Sequence, residues 1–256
     1  MSGRTIRRLH PATRDDIGDL TTRRPLPGPR IEHLDPFLFL NHHGPQVYPP
    51  GNRGLPFGPH PHRGFETVTF ILDGELEHRD TAGHRSVIRA GGVQWMTAGR
   101  GIIHSEMPQQ ENGRLHGFQL WINLPAAEKM KPAAYRDIQP GEIPRMELAA
   151  GGLAKVIAGT LETDGQVIHG PVQGLSTAPL FFDIRLPADG TFSHPVAATH
   201  SAFIYPYQGA LVVGASDTAL PLHAHEAGVL SSGERIEVRA GAEGAGFLLL
   251  AASPLG

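Results

Sequence analysis

Four residues, arranged as two pairs, have the types and spacing of a metal site. His60 and His62 stand one residue apart in GPHPHRGFET, and His104 and Glu106 repeat that spacing in GRGIIHSEMP. On an extended segment, residues i and i+2 project from the same face, so two neighbouring strands could direct all four side chains inward. Three imidazoles and one carboxylate suit Fe(II), Mn(II), Ni(II) or Co(II) and leave two positions of an octahedron open.

The segments around these pairs are typical of β-strands. ETVTFILDGELEHRD (66–80) alternates β-branched and apolar residues, and Asp73-Gly74 predicts a hairpin turn within it. HRSVIRAGGVQWMTA (84–98) predicts two strands around Gly91-Gly92, and GRLHGFQLWINLP (113–125) predicts another strand. The one helical stretch nearby, 125–134, is short and contains a proline.

The second half of the chain resembles the first. Residues 201–216 can be laid over 66–81, which brings Gly209 onto Gly74. A period this long indicates a duplicated domain. The sequence therefore predicts an all-β bicupin-type chain of two antiparallel β-barrel or jelly-roll domains with few short helices, an N-terminal metal-binding domain at 1–138 and a C-terminal domain at 139–256.

Composition excludes several classes of function. The formal net charge is −3 and the pI about 6.6, so no basic field would attract nucleic acid. The chain has no cysteine, which excludes disulfides and thiolate-bound metals. Without a long apolar run or a signal peptide, no membrane association is expected and a cytoplasmic location is the default.

These motifs carry a family resemblance. GPHPHRGFETVTFILDGELEHRD followed by GGVQWMTAGRGIIHSEMP resembles the two metal motifs of the cupin superfamily and, more narrowly, those of the pirin family of quercetinase-like bicupins. DPFLFLNHHGP and GFQLWINLP extend the resemblance over most of the chain. It implies that His60, His62, His104 and Glu106 are the metal ligands, and that Glu66, a ligand position in many other cupins, stands beside them.

The second copy lacks those ligands. Laid over the first, it places Pro195 and Ala197 where His60 and His62 stand, so the predicted C-terminal domain is degenerate and holds no metal. His223 and His225 repeat the H-x-H pattern but lie beyond the turn at Gly209. We interpret them, and likewise His194 and His200, as surface histidines.

The resemblance also implies an activity. Pirins are associated with quercetin 2,3-dioxygenase activity, in which the flavonol 3-hydroxyl binds the metal, O2 adds across the heterocycle and CO leaves. By that likeness Glu106 is the catalytic base, and Phe57, Glu66, Met107 and Gln119 contact an aromatic substrate. One divalent metal is expected, Fe(II) first, with Ni, Mn, Co or Zn as alternatives.

Three details stay open in the sequence. Asn41 and His43 stand where relatives often have Asp and Phe, which leaves the rim of the pocket unassigned. His116 and Arg63 are candidates for orienting the ligands through hydrogen bonds. The alternative function is that of a metal-dependent redox sensor of pirin type, which acts on a protein partner without turnover. A purely structural metal is disfavoured by the open coordination positions.

Overall fold

A computed structural model of the protein describes residues 2–49, 57–108, 113–149, 151–163, 165–214, 219 and 221–256. Within these ranges, two short 3-10 helices occupy Ala126–Glu128 and Pro140–Glu142. The strands follow in chain order: Ile6–Pro11 (β1), Thr13–Arg14 (β2), Thr22–Leu26 (β3), Phe37–Val47 (β4), His60–His62 (β5), Phe65–Asp80 (β6), Arg85–Arg89 (β7), Val93–Thr97 (β8), Ile102–Pro108 (β9), Arg114–Asn123 (β10), Ala134–Ile138 (β11), Arg145–Glu147 (β12), Leu153–Ala158 (β13), Thr160–Thr163 (β14), Gln166–His169 (β15), Leu180–Leu186 (β16), Thr191–Pro195 (β17), Ser201–Val213 (β18), Pro221–His223 (β19), Glu226–Leu230 (β20) and Arg235–Ala252 (β21).

The chain divides into two compact units. The site unit comprises Thr13–Pro27 and Phe37–Glu142, and the second unit comprises Met1–Ala12, Gly28–Pro36 and Ile143–Gly256. In the site unit a ten-stranded sheet runs β11-β8-β6-β10-β4-β3-β2, with β5, β7 and β9 attached beside it. In the second unit a nine-stranded sheet runs β1-β20-β18-β21-β16-β13-β12, with β17 and β19 beside it. All pairings between these named strands are antiparallel, and the predicted all-β class is confirmed.

These units differ from the predicted division at residue 138. The change falls at Glu142–Ile143, and the N-terminal residues go with the second unit because β1 pairs antiparallel with β20. The buried Arg4 side chain reinforces this attachment by donating to the carbonyl oxygens of Gly233 at 2.9 Å, His200 at 2.9 Å and Ala197 at 2.7 Å. Such long-range pairing leaves no mark in the local composition on which the prediction rested.

β6 is the strand that organises the site unit. Its first half pairs with β8 on one edge and β10 on the other, and its second half pairs with β7 and β9. The predicted hairpin at Asp73-Gly74 is wrong, because β6 continues through it for 16 residues. The ladder with β10 instead shifts register next to Asp73, and Gly74 has φ +94 with Arg114 O only 2.1 Å from where a Cβ would lie. This is a β-bulge, which uses the same residue types as a turn.

The second unit repeats this bulge. Gly209 in β18 has φ +70 and approaches Gly244 O to within 2.1 Å of a Cβ position, as Gly74 approaches β10. The ladder between β18 and β21 also shifts register there. The internal repeat predicted from the superposition of Gly209 on Gly74 therefore has a common backbone feature in both units.

Helical structure is scarce among the described residues. The stretch 125–134 forms only the 3-10 turn at Ala126–Glu128 before β11 begins at Ala134. In the described part of the chain, no helix has the length and apolar character needed to cross a membrane.

Candidate metal centre and cavity

β5 and β9 bring the two predicted ligand pairs onto neighbouring strands. They pair antiparallel with His60 directly opposite His104. β5 is short and, among the described strands, pairs only with β9, as expected for an edge strand that carries Pro61. The other edge of β9 pairs with β6, where Asp80 lies opposite His104. Backbone pairing on both edges thus fixes the register of His104 and Glu106.

Three imidazoles converge at this point. One ring nitrogen from each of His60, His62 and His104 lies within 4.8 Å of the others, and no other group of three potential ligands is found among the described residues. The ring centroids are separated by 4.5 Å for His60 and His104, 4.8 Å for His60 and His62, and 4.9 Å for His62 and His104. The Nε2 atoms of His60 and His104 are 3.0 Å apart.

The protonation of these rings favours metal binding. His60 Nδ1 lies 2.8 Å from the carbonyl oxygen of Gly58, which can only accept, so Nδ1 carries a hydrogen and Nε2 is the atom available to a metal. Burial lowers the pKa of His62 to about 4, and burial together with the neighbouring imidazoles lowers the pKa of His104 to about 2. Both rings are therefore neutral near pH 7, the state in which imidazole binds a metal.

The arrangement fits a bound cation. His62 Nε2 is buried and has no hydrogen-bond partner among the described residues, although a buried polar atom normally has one. His60 Nε2 and His104 Nε2, 3.0 Å apart, are close enough for both to reach one ion at the usual metal–nitrogen distance of about 2.1 Å. The three histidines thus form a group that could bind a metal ion.

Glu106 is close to this group but is turned toward the cavity. Its carboxylate does not belong to the set of ligand atoms within 4.8 Å of one another. Instead Oε1 lies 2.6 Å from Thr69 Oγ1, which also lies 2.6 Å from Gln119 Oε1. Burial raises the pKa of Glu106, while the bond from Thr69 and the charge of His60 oppose that rise. A buried carboxyl that holds its proton more tightly than usual is suited to proton transfer.

A cavity of about 740 Å³ opens beside the histidines. His60, His62 and Glu106 line it, so three of the four candidate ligands are accessible from within. The remaining wall is mostly apolar and aromatic: Ile17, Phe39, Phe57, Phe65, Ile71, Leu76, Leu115, Phe118 and Trp121. The volume lies within the range usual for small-molecule sites.

Of the four predicted pocket residues, two line the cavity and two do not. Phe57 and Gln119 are lining residues. Glu66 is 1% exposed and accepts a hydrogen bond from Thr97 Oγ1 at 2.8 Å, away from the cavity. Met107 is 36% exposed and is not among the lining residues. Neither Glu66 nor Met107 is therefore placed to contact a substrate in this cavity.

Three further polar residues in the wall complete the site. Asn41, whose role the sequence left open, lines the cavity and accepts from Arg24 Nε at 3.3 Å. His43, also left open, lines it too, and its Nδ1 lies 3.0 Å from Thr22 Oγ1. Thr69 was missed, although alternation along β6 places it on the same face as the lining residue Ile71.

The histidines of the second unit stand apart from any such cluster in the described residues. His223 is exposed, as predicted, and His225 is half-buried. The prediction that His194 lies on the surface is wrong, since it is buried edge-on against Phe182 with ring centroids 5.2 Å apart. His200 is half-buried.

The two candidates for orienting the metal ligands, His116 and Arg63, contact other groups instead. His116 Nε2 lies 2.8 Å from His42 Nε2, and Arg63 Nε donates to the carbonyl oxygen of Arg100 at 3.1 Å. Arg63 nevertheless lines the cavity.

Comparison with known proteins identifies relatives over the whole chain. Residues 19–122 match the family model described as Pirin, and residues 181–256 match the model described as Pirin C-terminal cupin domain. A protein of Pseudomonas aeruginosa that carries the provisional name quercetin 2,3-dioxygenase is 42% identical over 247 residues, covering 96% of this chain and 84% of that protein. Human pirin is 34% identical over 235 residues, covering 91% of this chain and 77% of that protein.

Solved structures agree with these matches. The crystal structure of a quercetin 2,3-dioxygenase from Acinetobacter baumannii is similar with a TM-score of 0.89 at 30% sequence identity, covering 100% of this chain and 88% of that one. From the matches of both halves and the extent of these similarities, we conclude that this chain belongs to the pirin family.

Proposed function

We propose that this protein is a metal-dependent dioxygenase that cleaves a flavonol, or a similar enolic aromatic compound, with O2. The observation that carries the proposal is the position of His60, His62 and Glu106 in the wall of a cavity that is otherwise largely aromatic and aliphatic. The similarity to proteins named quercetin 2,3-dioxygenase supports this choice of reaction.

The cavity wall suits a flat, apolar substrate. Phe39 and Trp121 are stacked with ring centroids 4.4 Å apart, and Phe65 adds a third ring 4.8 Å from Trp121. Aromatic faces bind planar ring systems through burial and offset stacking. Arg24 covers the ring of Phe39 at 5.0 Å, which helps to hold this aromatic wall in place.

The residues that would hold the metal are His60, His62 and His104, with Glu106 as the fourth ligand. When bound, the metal supplies open positions that bring a substrate oxygen and O2 together. The donor set suits Fe(II), and also Ni, Mn, Co or Zn. Glu106 lines the cavity together with His60 and His62, which places its carboxylate in the same wall as these imidazoles.

Glu106 also provides the base. Its ionised carboxylate can take the proton from an enolic hydroxyl as the substrate enters the cavity. The Thr69 hydroxyl contacts Oε1 of Glu106 and fixes the position of the carboxyl group. The apolar residues of the cavity wall keep water away from this carboxyl group, so the transferred proton stays on it. In the overall reaction both oxygen atoms of O2 enter the ring-opened product, and one carbon of the heterocycle leaves as CO.

The test begins with metal-free protein reconstituted anaerobically with Fe(II), Ni(II), Mn(II), Co(II) or Zn(II) in separate samples. Quercetin and O2 are then added, and loss of flavonol absorbance is followed together with CO release. We expect metal-dependent turnover in the wild type. In Glu106→Gln the turnover should fall at least about 100-fold, because the general base is lost.

The double variant His223→Ala/His225→Ala is the matched control, since it removes an H-x-H pair from the second unit. It should keep wild-type metal content and turnover. Loss of metal in this variant would contradict the assignment of the site. Stoichiometric metal without turnover of quercetin or related enols would instead favour the regulatory role.

A further inference from the structure

His78 and Asp80, which are not among the residues that line the cavity, form a chain of contacts to His104. His78 projects from β6, and its Nδ1 is 3.4 Å from His104 Nδ1. On the other side of the same ring, His78 Nε2 is 3.0 Å from Asp80 Oδ2. His78 is 1% exposed and Tyr135 stacks on it at 4.1 Å, so the ring has little freedom to turn.

Asp80 is the fixed end of this chain of contacts. Its Oδ1 accepts from the backbone N–H groups of Ala82 at 2.9 Å and His84 at 3.0 Å, and its Oδ2 faces His84 Nδ1 at 2.8 Å as well as His78. Burial alone would raise the pKa of Asp80, but these bonds outweigh it and hold the pKa below its usual value. Asp80 is therefore an ionised carboxylate that only accepts hydrogen bonds.

The donor and the acceptor of each hydrogen bond can then be assigned one after another, beginning at Asp80. Because Asp80 only accepts, His78 must carry its hydrogen on Nε2. The His78 ring is buried, is stacked against Tyr135 and places its hydrogen on the Nε2 that faces Asp80, so its Nδ1 presents a lone pair toward His104 Nδ1. His104 must then donate from Nδ1, which leaves the lone pair of His104 Nε2 pointing at His60 Nε2, 3.0 Å away.

We infer that His78 and Asp80 are positioning residues that set the tautomer and ring orientation of His104 for metal binding. The inference rests on the proposed metal site. It adds that hydrogen bonding from His78 and Asp80 gives His104 its metal-binding tautomer in the metal-free protein. Partners of this kind normally change metal affinity on the order of 10- to 100-fold when removed. Neither His78 nor Asp80 would contact the metal or the substrate.

Replacing Asp80 by asparagine reverses the direction of the hydrogen bonds in this chain while it keeps the shape of the side chain. The two backbone N–H groups will hold the amide oxygen, so the amide nitrogen will face His78 Nε2. His78 must then accept at Nε2 and donate from Nδ1, which forces His104 into the Nε2–H tautomer that cannot bind the metal through that atom.

The first readout is ¹⁵N NMR of the imidazoles in metal-free protein, and the second is Zn(II) affinity measured by competition with a chromophoric chelator. In the wild type we expect His104 to carry its hydrogen on Nδ1. In Asp80→Asn we expect it on Nε2, with Zn(II) affinity weaker on the order of 10- to 100-fold. Asp73→Asn, an exposed change in the same strand, should match the wild type in both.

A second pair of variants covers the case in which Asp80→Asn does not fold. His78→Leu removes the acceptor for His104 and should weaken Zn(II) binding about 10-fold or more. His78→Asn keeps an acceptor oxygen near the position of Nδ1 and should restore most of the affinity.

An unchanged tautomer and Zn(II) affinity within about twofold of wild type in the folded variants would overturn the inference. Wild-type protein that shows the expected tautomers but binds no metal would contradict the proposed site and, with it, the role of His78 and Asp80 in metal binding, while their effect on the His104 tautomer would stand.

Discussion

Replacing Thr69 by valine tests whether its hydroxyl connects the candidate base to the cavity wall. Valine keeps the shape and β-branching that suit a strand, so the variant removes one hydroxyl and little else. The hydroxyl has one hydrogen but lies 2.6 Å from both Glu106 Oε1 and Gln119 Oε1. One contact must therefore be filled by a hydrogen from the partner, either from a protonated Glu106 carboxyl or from the amide group of Gln119 in the reverse orientation.

The expected loss in the free energy of unfolding follows from the two hydrogen bonds that Thr69→Val removes. A hydrogen bond between neutral groups contributes about 0.5–1.5 kcal/mol, and a buried partner left unsatisfied costs about 1–3 kcal/mol. Because Thr69 is buried and both partners lie in the same wall, we expect Thr69→Val to lower the free energy of unfolding of the metal-free protein by about 2–4 kcal/mol.

The assay is urea unfolding of metal-free protein followed by circular dichroism, with Thr69→Ser as the matched variant. Serine retains the hydroxyl and should recover most of the loss apart from the missing methyl group. If Thr69→Val unfolds within about 0.5 kcal/mol of the wild type, the hydroxyl does not hold Glu106 and the reasoning is refuted.

Three other changes have expected results. Folded pKa values of about 4 for His43 and His62 lie below the unfolded value of 6.5, so the unfolded chain binds more protons in that window. Urea unfolding of metal-free protein should show full stability above pH 6.5 and lose about 3 kcal/mol per histidine as the pH falls to about 4; a flat profile would contradict this. Arg4→Met removes three charged hydrogen bonds and should lower the free energy of unfolding by about 3–5 kcal/mol, whereas a loss under about 1 kcal/mol would show that solvent replaces them. His43 lines the cavity, and we expect its imidazole to bond a ring hydroxyl of the substrate. His43→Phe should then weaken anaerobic binding of quercetin about 5- to 10-fold, measured by fluorescence quenching, but leave the less hydroxylated 3-hydroxyflavone unchanged; equal losses would argue against this hydrogen bond.

The ligand pairs could be found in the sequence because their geometry is local. Strand alternation alone places His60 with His62, and His104 with Glu106, on common faces. The same rule would have excluded Met107, which directly follows Glu106 and so faces the other way. It would likewise have separated Glu66 from Thr69, since the two differ in parity along β6.

Other features depend on contacts between distant residues. The Asp73-Gly74 pair has the composition of a hairpin turn, and only the register of β10 against β6 shows that it forms a bulge. His78 precedes His104 by 26 positions and becomes its neighbour through the pairing of β6 with β9. The attachment of β1 to the second unit is also invisible before the pairing with β20 is known.

Metal content measured together with turnover tests the central claim most directly. Anaerobically reconstituted wild-type protein and the His104→Ala variant would be analysed by inductively coupled plasma mass spectrometry and then assayed for CO release from quercetin and O2. We predict about one metal ion per chain with CO release in the wild type, and loss of both in His104→Ala. Quercetin cleavage by protein that holds no metal, or full metal binding in His104→Ala, would contradict the account.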